Sequence, residues 1–163
     1  MDLSRLKWTK NIRPYQGWAY KPERGTPIAM ELPEAKIFGL TWKTKAKGNA
    51  GRPQEGDLIL LHQQARVTHI AEFLDNKLYK NTSEPEWGIY RVVRAVWMPP
   101  LDKDWYTLPH QDEIFGFNVS IWNGLARNLD APGTRSKFYE HWTNRGGLVG
   151  FQNHLVTQLS QIS

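Results

Sequence analysis

The sequence predicts an α+β fold: a small, mostly antiparallel β-barrel flanked by a few helices. Three observations predict it. The apolar run Leu58–Leu61 follows the turn signal Gly56-Asp57, is too short for a helix, and has the length and flanks of a strand buried on both faces. Residues 66–73 then alternate, with Val67, His69, Ala71 and Phe73 on one face and Arg66, Thr68, Ile70 and Glu72 on the other. The short link Gln63-Gln64-Ala65 makes these two runs an antiparallel hairpin. Third, the β-rich run Trp87–Trp97 can pair beside that hairpin, and Lys36–Trp42 can close the sheet.

Composition bounds the class. At 163 residues the chain has the size of a single domain, 1–163, with a self-sufficient core. Its 40% hydrophobic and 23% charged content fits an ordinary soluble protein. No long apolar run and no charged-then-apolar leader is visible, so neither a membrane span nor a secretory signal is expected and the default location is cytoplasmic. The absence of cysteine excludes disulfides and thiolate metal sites. A formal charge of +5 favours an anionic partner such as nucleic acid, although such a charge also occurs in proteins that bind none. Eight tryptophans are unusual, because each large ring also carries an N–H that needs a partner when buried.

Residues 1–35 are punctuated by Pro14, Gly17, Pro22, Gly25, Pro27 and Pro33, which disfavours long helices. They read as an N-terminal arm packed on the barrel through Trp8, Tyr15, Trp18 and Tyr20, with a loose hairpin at Glu23–Thr26 and a short strand at Ile28–Met30. Strand Lys36–Trp42 runs into a loop with four basic side chains, Lys43, Lys45, Lys47 and Arg52, ahead of its first acid, Glu55. Two readings fit that loop: a phosphate-contacting segment with Trp42 at its base, or a solvated mobile loop. Asp75-Asn76 is a turn within the polar stretch before Trp87. The strand from Trp87 stops at Met98-Pro99-Pro100, since proline cannot continue a ladder. Phe115, Phe117, Val119 and Ile121 share a parity and predict one more strand, with Asn118, Ser120 and Trp122 opposite, then turn signals at Asn123-Gly124 and 128–133. Residues 134–163 form the C-terminal helices. Ser136 can cap a short helix through Trp142, Gly146-Gly147 breaks it, and Leu148, Phe151, Leu155, Leu159 and Ile162 mark an amphipathic helix docked on the sheet.

The strand ending in Trp42, the Gly56-Asp57-Leu58-Ile59-Leu60-Leu61 run, Thr68-His69-Ile70-Ala71-Glu72-Phe73, and Trp87 through Pro100 together resemble the PUA-like superfamily, which contains PUA, ASCH, EVE and YTH domains. The resemblance covers roughly residues 36–100. The interval before Gly56 is shorter than in EVE and YTH domains and closer to ASCH. The resemblance implies a compact barrel that reads RNA or DNA without catalysis, holding a flipped or modified base in an aromatic pocket. Unstacking a base costs a few kcal/mol, and aromatic stacking of roughly 1–3 kcal/mol per base offsets it. On that reading Trp42 and Trp87 are pocket walls, Tyr90 or Trp122 is a third, and Asn49, Asn118 and Ser120 read the base edge. Each tryptophan taken singly also fits a plain core residue.

Two other function classes stay open. Some ASCH members resemble small amidohydrolases of acylated cytidine, and Lys43, Thr44 and Glu72 could supply the lysine, threonine and glutamate such a site uses. Ala46 stands where that subgroup would have a second threonine. A protein-interaction module would instead present its aromatics as a flat patch. His62 and His69 bridge the hairpin near Glu72, but two strand histidines without a third clear ligand are usually structural, so no metal and no cofactor is expected. The chain has no P-loop motif, so a reader of this size would need an effector protein as partner to act on what it reads.

Overall fold

The structure is a computed structural model and describes residues 1–12, 20, 36–119, 124–129 and 137–162. The expected hairpin at 23–26, the strand at 28–30, Tyr15, Trp18, Ser120, Trp122 and the Ser136 cap lie outside the described residues.

The fold is α+β, built on a mixed and mostly antiparallel sheet. Its strands among the described residues are β1 (Leu6–Asn11), β2 (Ile37–Trp42), β3 (Leu58–Gln63), β4 (Arg66–Phe73), β5 (Tyr79–Lys80), β6 (Ile89–Trp97) and β7 (Arg127–Asn128). The order is β2-β6-β4-β3-β1-β7, with β5 beside the start of β6, and only β1–β3 is parallel. Among the described residues no ladder joins the β2 and β7 edges, so the hydrogen-bonded sheet is open there. The hairpin β3–β4 forms and β6 pairs beside it as expected, whereas β2, expected to close the sheet, pairs with β6 as an edge strand. The start of the N-terminal arm does more than pack on the sheet: Leu6–Asn11 enters it between β3 and β7. Lys7, Lys10 and Asn11 interrupt the apolar run, which hides this strand from a hydrophobicity reading.

The β3–β4 turn puts Gln64 (φ 47°) and Ala65 (φ 66°) in the left-handed region, the backbone a two-residue hairpin needs for its twist to match the strands. Further along, Leu61 pairs with His69 but His62 with Val67, which leaves Thr68 as an extra residue. That bulge changes the side-chain parity. Val67 and Ile70 therefore enter one core while Ala71 and Phe73 enter the other, correcting the single row expected from Val67 to Phe73.

The sheet separates these two cores. Trp8, Phe38, Leu40, Trp42, Ile59, Leu61 and Phe73 lie in the first; Leu6, Leu58, Leu60 and Val67 lie in the second. Four α-helices are described: α1 (Lys47–Ala50), α2 (Gln111–Phe115), α3 (Lys137–Trp142) and α4 (Gly147–Ser160). Helix α4 buries Phe151, Leu155 and Leu159 in the second core as its spacing predicts, after Gly146 (φ 93°) turns the chain. Helix α2 replaces the start of the strand expected over 115–121. The His110 ring accepts from the Asp112 amide, Asp112 and Glu113 suit the positive end of the first turn, and Gly116 closes the helix at φ 82°.

Arg91 ties the sheet to two loops. It is 1% exposed, and its guanidinium donates to the carbonyls of Ala50 (2.9 Å), Pro53 (2.8 Å) and Asp75 (2.7 Å) while lying over the Phe73 ring. Arg91→Met keeps the stem and removes the donors. It should lower unfolding free energy by about 2–3 kcal/mol, since charge-assisted bonds are lost and carbonyls are left unmatched. Urea denaturation checks this, and a loss under about 0.5 kcal/mol would mean the three carbonyls find water instead.

Candidate functional site

Strand β2 ends at Trp42, the chain turns through Thr44–Ala46, and α1 follows at once. This tight path folds Asn49 back over the strand end. The Trp42 indole N–H donates to Asn49 Oδ1 at 2.8 Å, and the same oxygen accepts from the Ala126 amide at 2.8 Å. Asn49 Nδ2 donates in turn to the Ala126 carbonyl at 2.9 Å. The amide proposed as a base-edge reader is thus engaged inside the protein, where it fixes Trp42 and clamps the 124–126 segment beside it.

Trp87 approaches from the other side, on the segment leading into β6. Thr44 docks that segment: its amide donates to Glu86 O (2.8 Å), its hydroxyl donates to Pro85 O (2.8 Å), and the hydroxyl oxygen accepts from the Gly88 amide (2.9 Å). Glycine is required at 88, because a Cβ there would lie 2.5 Å from the Glu84 carbonyl oxygen. Trp42 is 0% exposed, whereas Trp87 is half-buried, so of the two rings Trp87 offers the larger surface to a ligand.

Between the rings stands Lys10, a residue that sequence reasoning passed over. Its Nζ lies 5.1 Å from the Trp42 ring centroid and 5.8 Å from that of Trp87, within cation–π range of both. The side chain is 0% exposed. Among the described residues no carboxylate pairs with it, and its hydrogen bond is a long one, 3.5 Å to its neighbour Asn11 O. Burial pushes its pKa down from 10.5 to about 7. A signal for it did exist: Lys10 shares its strand parity with Trp8 and Ile12, so a lysine occupies the apolar face. Gly124 lies next to it, where a Cβ would sit 3.5 Å from the Trp87 ring and 3.9 Å from Lys10 Nζ.

The basic loop lies outside this group. Lys43, Lys45, Lys47 and Arg52 are all exposed. Lys43 Nζ lies 5.8 Å from the Trp87 centroid, and the Arg52 guanidinium lies 5.5 Å from the ring of Trp8. A cleft of about 370 Å³ is lined by Lys43, Thr44, Lys45, Pro85 and Glu86. A second, of about 260 Å³, shares Thr44 and Pro85 with it and is also lined by Lys47, Lys80 and Asn81.

Other predicted site residues are elsewhere. Ile89 pairs with Trp42, so strand alternation turns Tyr90 to the opposite face, where its ring stacks on Tyr79 at 5.2 Å. Asn118 is exposed in the loop after α2, next to Val119 of the second core and so away from Trp42. The hydrolase set is not assembled. Glu72 pairs with Arg5 (2.5 Å) and Arg94 (2.7 Å), and Arg94 sits opposite Ile37, about 16 Å along β2 from Trp42. Thr44 holds the Trp87 segment instead. The Thr68 bulge sends His62 and His69 to different surroundings, His62 against Gln111 and Phe115, His69 against Phe38 and Tyr20. Burial holds their pKa values down to about 4 and about 3 respectively.

A scan against protein-family models and a search of curated proteins returned no match. No helix among the described residues is long and apolar enough to cross a membrane.

Proposed function

We propose that this chain is a non-catalytic nucleic-acid-binding module in which an unstacked base, modified or plain, lies against Trp87 while the backbone runs along the loop 43–52. The observation that carries the reading is the half-buried Trp87 ring with two ammonium groups, Lys10 inside and Lys43 outside, each 5.8 Å from its centroid. A flat aromatic surface beside a run of exposed cations has the two elements of single-strand binding: a stacking platform and sequence-blind attraction for phosphates. Trp42 backs this platform and Asn49 holds it in place. The PUA-like assignment, with the open sheet as the curved wall of a small barrel, belongs to the same proposal. It is supported by the antiparallel pairing of β3 with β4, β4 with β6 and β6 with β2, the segments that carry the resemblance.

The loop supplies the test. Replacing Lys43, Lys45, Lys47 and Arg52 together by Ala should weaken binding to all single-stranded oligonucleotides alike and flatten the dependence of log Kd on log salt. Because all four side chains are exposed, the variant should fold, with each change within about 0.5 kcal/mol. A salt slope equal to that of the parent would remove the loop from the interface.

A further inference from the structure

Lys10 has more donors than the described residues use. An ammonium carries three N–H groups. Here one long contact, 3.5 Å to Asn11 O, is its hydrogen bonding among the described residues, although the side chain is 0% exposed. Buried cations are ordinarily matched by a carboxylate or by several carbonyls, and a π face compensates only part of the lost hydration. Of the two ammonium groups beside Trp87, Lys10 is the buried one and Lys43 the exposed one. Lys10 Nζ lies 5.8 Å from that ring's centroid, and the neighbouring Gly124 places no side chain between them, where a Cβ would touch both the ring (3.5 Å) and Nζ (3.9 Å). We infer that Lys10 reads the base: its ammonium donates to an exocyclic keto oxygen on the edge farthest from the sugar, so that the site takes uracil-, thymine- or guanine-type bases in preference to the amino-bearing cytosine and adenine types. The direction follows from the layout. Phosphates are drawn to the exposed cations outside, so the edge opposite the glycosidic bond points inward at Lys10. A keto oxygen there accepts from the ammonium, whereas an exocyclic amino group presents donor to donor.

This inference rests on the nucleic-acid reading, and the experiment separates their failures. Oligo(dU) and oligo(dC) of about ten nucleotides carry the same phosphates and differ at the keto or amino group, so both are titrated into the full chain and followed by tryptophan fluorescence. The parent should bind oligo(dU) about tenfold more tightly. Lys10→Met should bring the two within about twofold by weakening oligo(dU) while leaving oligo(dC) unchanged. Gly124→Leu, which puts a side chain against both the ring and Nζ, should lose the same preference and serves as the deciding variant if Lys10→Met does not fold. Equal affinity of the parent for both oligonucleotides, or a preference that survives in the variants, overturns the inference and leaves the nucleic-acid reading standing. Binding to neither oligonucleotide at low salt overturns both.

Discussion

Trp42→Ala should lower the unfolding free energy by about 3–5 kcal/mol, whereas Trp87→Ala should lower it by about 1 kcal/mol or less. The contrast follows from position. Trp42 is 0% exposed, packs in the core containing Leu40, Ile59 and Phe73, and satisfies its indole N–H at Asn49. Its removal leaves a cavity among strands that cannot collapse, and Asn49 loses the donor that helps clamp the 124–126 segment. Trp87 is half-buried and lies outside the strand ladder. For a chain of this size the first loss corresponds to a fall in Tm of roughly 10–15 °C. Thermal unfolding of the two variants side by side is the check. Equal losses would mean that Trp87 is as much a core residue as Trp42.

Lys10→Met should stabilise the protein at neutral pH, on the order of 4 kcal/mol, and should abolish a pH dependence of the parent. The lysine titrates near its ordinary 10.5 when unfolded and at about 7 when folded. Between those values the unfolded chain binds more protons, so parental stability rises as pH rises from 7 toward 10.5 and is lowest below 7. Methionine has no proton to bind and fills a similar volume between the rings. The advantage of the variant should therefore shrink to about 1 kcal/mol at pH 9.5. On the acid side the two buried histidines act in both proteins, with the charge of Lys10 adding to the lowering at His62 in the parent alone. His62 and His69 are buried neutral with pKa values of about 4 and about 3, so both proteins lose stability as pH falls from about 6.5 through those values. Urea denaturation of the pair at pH 7 and 9.5 measures the effect, and a constant difference would give Lys10 an unshifted pKa.

A lysine buried between two indole rings, with no carboxylate partner among the described residues, is itself an argument for use, because functional sites concentrate such conflicts between local rules and fold. The same conflict decides what could be read in the sequence. The hairpin and its partners were legible because Leu58–Leu61 and Trp87–Trp97 carry strong apolar patterns, and α4 because its spacing is helical throughout. Trp42 and Trp87 could be placed together because each sits beside an end of paired strands β2 and β6. Strand β1 was not legible, since two thirds of it is polar and its partner β3 is far away in sequence. The Thr68 bulge was invisible for a different reason: an extra residue leaves the alternating pattern intact in sequence while inverting it in space. Helix α2 depended on the His110 cap and the left-handed Gly116, short-range chemistry that the parity of Phe115 and Phe117 overshadowed. Asn49 looked like a free amide because its partners, Trp42 and Ala126, come together only through the fold.

The claim that Trp87 is a ligand platform is tested most directly by titrating a single-stranded oligonucleotide into the parent and Trp87→Ala at low salt, with the Tm of each protein recorded alongside. The account predicts that the parent binds with quenching of tryptophan fluorescence, and that the variant keeps its Tm within about 3 °C while losing roughly 1–3 kcal/mol of binding. Equal affinity of the two proteins, or no binding by the parent, would contradict it.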